Sequence, residues 1–287
     1  MPRWLISRPT ITFIACAYGI SWIAGIAATS FLRMRLASAG VVGPYIAGAV
    51  VTWGPALAAL IVAEALNGAK GRQAMVAQLA PRSPFPLWYV ALPLAATLAT
   101  MGSLVAAGIA PKAVWRIVAE SWPLLAAHLA LQFSFIGVGE ELGWRGWLLP
   151  RLCRRYSLGW ATTLTFVAWA VWHLPKFAFL GPRYAGPAVA VLGASSVIFT
   201  LLWVRARGSV LPVAFAHAAI NAPFYFVEQV SARVAGLTPE ALLDAWAWFG
   251  ATAVLVAVLL VMLTRSVWAR RFQQEAVAAA VASTTDG

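Results

Sequence analysis

The stretch GEELGWRG, Gly139 to Gly146, places two adjacent carboxylates and an arginine in a chain of which only 10% is charged. The chain has three histidines, His128, His173 and His217, and Asn221 follows the last of them by one helical turn. On a helix, residues four apart share a face, whereas adjacent residues point about 100° apart. Glu141 can therefore pair with Arg145 while Glu140 faces another direction. The small Gly139 and Gly143 beside it allow a neighbouring helix to approach closely. Trp169 lies one turn before His173, and His217 and Asn221 point together. Three chemistries fit these residue types: general acid–base work at Glu140 and His173, a zinc site from His173, His217 and Glu140, and a proton relay through Glu140 and His173. The zinc reading lacks an HExxH spacing. The relay would be favoured by repeat symmetry, which the chain does not show. The structural alternative is a self-satisfying Glu–Arg pair with helix-packing histidines.

The elements that must position these residues are membrane helices. Hydrophobic residues make up 62% of the 287, more than a soluble domain can hide from water. Stretches free of acidic and basic residues recur at Ile11–Leu32, Leu36–Ala63, Leu87–Ala110, Ser121–Gly139, Tyr156–Trp172, Tyr184–Val204, Gly208–Val227 and Ala245–Thr264. Most reach the ~20 apolar residues of a spanning helix. The expected fold is all-α, a polytopic membrane protein of about eight transmembrane helices in a single integral membrane domain, 1–287, with a flexible Ala-rich tail at 273–287. The first stretch is read as a retained helix rather than a signal peptide, because it is long and lacks an A-x-A end. Interior Pro55 and Pro93 fit kinks in membrane helices.

The net charge of +12 does not mark a nucleic-acid binder, since the basic residues sit singly or in pairs between hydrophobic spans. With the N-terminus inside, 14 of the 21 basic residues fall on cytoplasmic segments. That two-to-one bias places both termini in the cytoplasm. Cys16 and Cys153 imply no disulfide framework and no metal-type spacing.

Depth along the helices brings the polar residues together. Glu140 precedes the centre of the basic turn RRYSLG, near Tyr156, by ~16 residues and His173 follows it by ~17, so both lie ~25 Å along their helices from the turn. From the next turn, RARGSVLP, His217 and Asn221 come out at ~14 and ~20 Å, a looser match that tilt or a break near Pro150 would absorb. His128 lies ~18 Å of helix before Glu140 and is read as structural. Trp144, Trp147, Trp160 and Trp172 are read as packing or interface anchors.

The same residues resemble a family, the CPBP intramembrane proteases, also called the Abi family, which include the eukaryotic endopeptidases that cut prenylated CAAX proteins. EELGWR fits the family's EExxxR, WAVWH its aromatic-xxx-His element with Trp169 in the aromatic place, and HAAIN its HxxxN. Together they span Glu140 to Asn221 within a CPBP-like region of about 121–227. The resemblance implies a glutamic endopeptidase with no cofactor and no metal. In it Glu140, assisted by His173, activates water for direct attack on a peptide carbonyl, His217 and Asn221 hold the oxyanion, and Glu141, Arg145 and Trp169 shape the site. The implied partners are a membrane-associated peptide or protein substrate and the lipid bilayer; the Ala-rich, signal-free organisation of the chain suits a bacterial inner membrane. Access from the cytosol is also implied, although the depth count carries Glu140 past the midplane. The family includes members implicated in bacteriocin self-immunity, so a non-catalytic scaffold or immunity factor stands as the alternative. Nothing in the sequence selects a prenyl group, a CAAX tail or a bacterial peptide.

Overall fold

The computed structural model describes residues 7–82 and 87–269, so the Ala-rich tail expected at 273–287 lies outside the described residues. Among the described residues the chain is all-α, without a strand. The helices are α1 (Pro9–Arg35), α2 (Val42–Leu79), α3 (Trp88–Ala106), α4 (Pro111–Cys153), α5 (Leu158–Trp172), α6 (Leu174–Leu180), α7 (Pro182–Arg205), α8 (Leu211–Val230), α9 (Pro239–Leu263) and α10 (Arg265–Trp268). Each of the eight uncharged stretches falls on one of α1–α5 or α7–α9. Among the described residues six helices are long and apolar enough to cross a membrane, and seven if the bent pair α5–α6 is one span. The remaining stretch, Gly208–Val227, forms α8, which is 20 residues long; His217 and Asn221 make it more polar than its neighbours. Exposed apolar side chains such as Ile23, Val90, Leu98, Leu259 and Met262 give the bundle an oily outer surface suited to lipid.

Breaks in these helices have local causes. In α2, Gly68 takes φ 60°, ψ −150°, a conformation that L side chains rarely adopt. The apolar stem of α2 ends there and gives way to a short surface helix. In α4 the backbone leaves helical geometry at Ser121 (φ −127°, ψ 20°) two residues before Pro123, whose ring clashes with the preceding turn. The chain does not break near Pro150: α4 continues to Cys153, and Trp144–Leu148 widens into a π-helical turn instead. The wider turn relieves the clash that Pro150 would make with the carbonyl four residues back.

Close packing brings α4 against two neighbours. A Cβ on Gly143 would lie 2.5 Å from Pro55 Cβ, one on Gly139 would lie 2.7 Å from the Thr52 carbonyl, and one on Gly137 would meet the Ala214 carbonyl. The glycines thus let α2 and α8 reach the backbone of α4 where the carboxylates stand. The turn before α8 is pinned from the other end: Val210 N donates to the Gln78 carbonyl at 2.8 Å and Ser209 Oγ to the Ala80 carbonyl at 2.8 Å. These contacts set the height of His217.

The α5–α6 pair settles how far the site lies from the basic turn. α5 starts at the cap made by Ser157, runs 15 residues, or ~22 Å, and bends by 50° into α6. Pro175 comes just after the bend, and a proline there cannot continue the helical hydrogen bonding. Cysteine placed at Tyr156 (43% exposed) and at Leu174 (51% exposed), in a background lacking Cys16 and Cys153, should react with a membrane-impermeant maleimide from opposite sides of sealed vesicles. Labelling of both from one side would make α5–α6 a re-entrant hairpin.

Candidate active site

Glu140 and Glu141 stand in the helical stretch Val138–Gly143, flanked by π-helical turns at Gln132–Gly137 and Trp144–Leu148. Such turns widen the helix and leave carbonyls to seek other donors. Thr52 Oγ1 of α2 fills that need at the Phe135 carbonyl.

The two carboxylates have separate partners. Glu141, fully buried, receives Arg145 Nη1 at 2.9 Å on each oxygen and His217 Nδ1 at 2.8 Å on Oε1. Arg145 is fully buried as well; its Nη2 donates to Ser196 Oγ of α7 at 3.2 Å, and its guanidinium lies 4.6 Å from the Trp169 ring centroid and 5.0 Å from that of Phe199. Glu140, also buried, takes its one hydrogen bond among the described residues from Trp169 Nε1, at 2.7 Å on Oε2. The expected Glu141–Arg145 pair and the divergent direction of Glu140 are therefore present.

Trp169 joins the parts. Its indole edge holds Glu140, its face covers Arg145, and its ring meets His217 and His173 edge-on at 5.4 and 5.7 Å between centroids. Its backbone carbonyl accepts from His173 Nδ1 at 2.9 Å. A carbonyl can only accept, so Nδ1 carries the proton, and Nε2 keeps its lone pair. This bond exists because α5 ends here and its last carbonyls lack helical donors. Two nearby carbonyls accept from α1: Trp22 Nε1 donates to the Trp172 carbonyl at 2.9 Å and the Tyr18 hydroxyl to that of Ala168 at 2.6 Å. His173 is further held between Trp172 at 4.8 Å and Phe177 at 5.8 Å.

The structure thus gathers Glu140, Glu141, Arg145, Trp169, His173 and His217 into one contact network, in which Glu140 meets Trp169, one turn before the His173 counted to its depth. Asn221 lies one turn beyond His217 on α8, half-buried like His173, and its Nδ2 donates to Gln132 Oε1 at 3.3 Å. Trp144 and Trp147 are fully buried core residues, whereas Trp160 is 65% exposed, as anchors of the two kinds would be. Among the described residues no three His, Cys, Asp or Glu side chains gather in a metal-holding group. Two participants are absent from the motifs. Gln132 is fully buried beside Asn221. Lys176, exposed on α6 three residues after His173, has its Nζ 5.4 Å from the Tyr184 ring centroid. Only a lone polar residue in an apolar run signals either of them.

In a comparison with known families, residues 121–223 match the family described as Type II CAAX prenyl endopeptidase Rce1-like. The matched segment contains all three motifs and all seven residues singled out for the site. The match bears out the resemblance to the CPBP, CAAX-protease-like family and supports a membrane peptidase of that general kind. No curated protein matches the chain.

The buried pair makes a stability prediction. Arg145→Met should destabilise the fold by about 3–5 kcal/mol, because it breaks a fully buried ion pair and takes two of the three hydrogen bonds of Glu141. The double variant Arg145→Met/Glu141→Gln should recover most of that loss in thermal unfolding of the detergent-solubilised protein.

Proposed function

From a motif region that matches the CAAX prenyl endopeptidases, we propose that the protein is an intramembrane glutamic endopeptidase. The observation that carries this reading is the division of labour between neighbouring carboxylates. Glu141 is engaged by Arg145 and His217, whereas Glu140 is held by a single neutral N–H and keeps Oε1 without a donor among the described residues. A carboxylate held in that way is fixed in place yet retains an oxygen for water.

In this reading Glu140 Oε1 takes a proton from water as the water oxygen adds to the peptide carbonyl carbon. His173 Nε2, aimed by the Trp169 carbonyl, accepts the second hydrogen bond from that water and orients it. The carbonyl oxygen becomes an oxyanion that accepts from Asn221 Nδ2 and from His217 Nε2–H. For His217 to donate there while Nδ1–H donates to Glu141, it must be an imidazolium. The charges of Glu140, Glu141, Arg145 and His217 then cancel, which suits a water-poor setting. When the tetrahedral intermediate collapses, the C–N bond breaks and Glu140 returns its proton to the leaving amine. No acyl-enzyme forms. The Arg145–Glu141 pair orients His217 and takes no part in proton transfer.

The test is cleavage of a quenched-fluorophore peptide library by purified protein in detergent or liposomes. Glu140→Gln should abolish cleavage while leaving unfolding behaviour intact, and His173→Ala should be nearly as severe. Asn221→Ala should lower kcat by ~100- to 1,000-fold, as for other oxyanion donors, with less effect on KM. Near wild-type turnover by Glu140→Gln would exclude it as the base.

A metal test separates this mechanism from zinc hydrolysis. Activity should survive exhaustive chelation. One zinc per chain, with activity lost on its removal and restored by its return, would assign the site to a metalloenzyme instead.

A further inference from the structure

Away from the charged cluster, five polar side chains form a second buried network. Asn221 Nδ2 donates to Gln132 Oε1 at 3.3 Å, and Gln132 Nε2 donates to the Tyr45 hydroxyl at 3.0 Å. The Tyr45 hydroxyl lies 2.9 Å from His128 Nδ1, and His128 Nε2 lies 2.6 Å from Gln229 Oε1. Gln132, His128 and Tyr45 are 0%, 3% and 6% exposed, so the middle of the chain is sealed while Gln229 reaches the surface. The path leaves α8 at Asn221, crosses α4 and α2, and returns to α8 two turns later. Tyr225, midway between its two ends on α8, packs its ring against Tyr45 and His128 at 6.0 and 6.5 Å between centroids.

We propose that Gln132, Tyr45 and His128 are positioning residues that fix the orientation of the Asn221 carboxamide. An amide rotor alone presents nitrogen or oxygen with little preference, and only the nitrogen can donate to an oxyanion. The chain decides which. Gln132 Nε2 has only hydrogens to give, so the Tyr45 oxygen accepts and its own O–H turns to His128 Nδ1. His128 then carries its proton on Nε2, which donates to Gln229 Oε1. All four bonds run the same way, from Asn221 towards Gln229. One Nδ2 hydrogen of Asn221 is held by Gln132, and the other is left to donate into the site. Reversal would require both glutamines and Asn221 to turn over and His128 to change tautomer together, so the tautomer of His128 reports the direction of the whole chain. His128 is thus more than a packing residue.

The catalytic consequence rests on the oxyanion role proposed above for Asn221; the orientation itself does not. Three histidines make ¹⁵N-histidine labelling directly readable. The expected spectrum has His128 protonated on Nε2 and not on Nδ1, in contrast to His173 and His217, both of which carry a proton on Nδ1. In Tyr45→Phe, which keeps the ring packing, the His128 Nδ1 signal should move to that of an imine nitrogen without a donor. Kinetics with a library peptide that the wild type cleaves should show Tyr45→Phe lowering kcat about tenfold, the scale of one hydrogen bond, with KM unchanged. In the Asn221→Ala background the same substitution should cost nothing further. His128→Asn, whose Oδ1 can accept from Tyr45, should retain the activity that His128→Leu loses. A His128 proton on Nδ1, or equal losses in both backgrounds, would overturn the proposal. A wild type that cleaves no peptide would sink the protease reading, and the His128 tautomer would still decide the orientation.

Discussion

Two carboxylates adjacent in sequence cannot both leave water unless each finds its own partners, and this constraint organises the centre of the molecule. An unpaired buried charge costs several kcal/mol, so Glu141 requires Arg145, and Arg145 in turn requires a shell that does not expose it. That shell comes from α5 and α7: Trp169 and Phe199 cover the guanidinium and Ser196 accepts from it. His217 brings in α8 by bonding to the same carboxylate. One i,i+4 pair on α4 therefore draws three other helices to a common point. Glu140, turned about 100° away on the same helix, meets the edge of the indole whose face covers Arg145.

The helix bearing these charges is shaped for close approach rather than for regularity. Gly137, Gly139 and Gly143 remove side chains where α8 and α2 cross, and the π-helical turns on either side redirect the helix beyond them. An unbroken α-helix with alanine at those positions would hold α2 and α8 farther away, beyond the reach of a 2.8 Å bond between His217 and Glu141. Stability and site geometry thus rest on the same few small residues.

Much of this is legible in the sequence because it depends on two regular quantities. The rise of 1.5 Å per residue brings Glu140 and the Trp169–His173 turn to one depth, and the repeat of 3.6 residues pairs Glu141 with Arg145 and His217 with Asn221. The depth count for His217 is looser because the turn before α8 is tied to Gln78 and Ala80, which no count from a turn centre includes. A break near Pro150, one of the ways to absorb that mismatch, is replaced by a wider turn, since a π-helical register accommodates a proline without ending the helix. Gln132, Tyr45 and Gln229 stay hidden in the sequence for another reason. Their contacts join residues 83 to 101 positions apart, and a single polar residue in an apolar run does not reveal which helix will supply its partner.

The two histidines of the site illustrate how a bundle in an apolar medium can aim an imidazole without giving up its reactive nitrogen. His173 stands where α5 breaks, and the carbonyl left without a helical donor takes its Nδ1 proton. His217 stands inside an unbroken helix, where backbone carbonyls are already engaged, so a carboxylate has to serve instead. The first arrangement yields a neutral ring whose free nitrogen accepts. In the mechanism proposed above, the second supports a positive ring whose free nitrogen donates. An acceptor for water and a donor for the oxyanion are the opposite demands that such a reaction would place on the two histidines, and the difference between a helix end and a helix interior is enough to meet both.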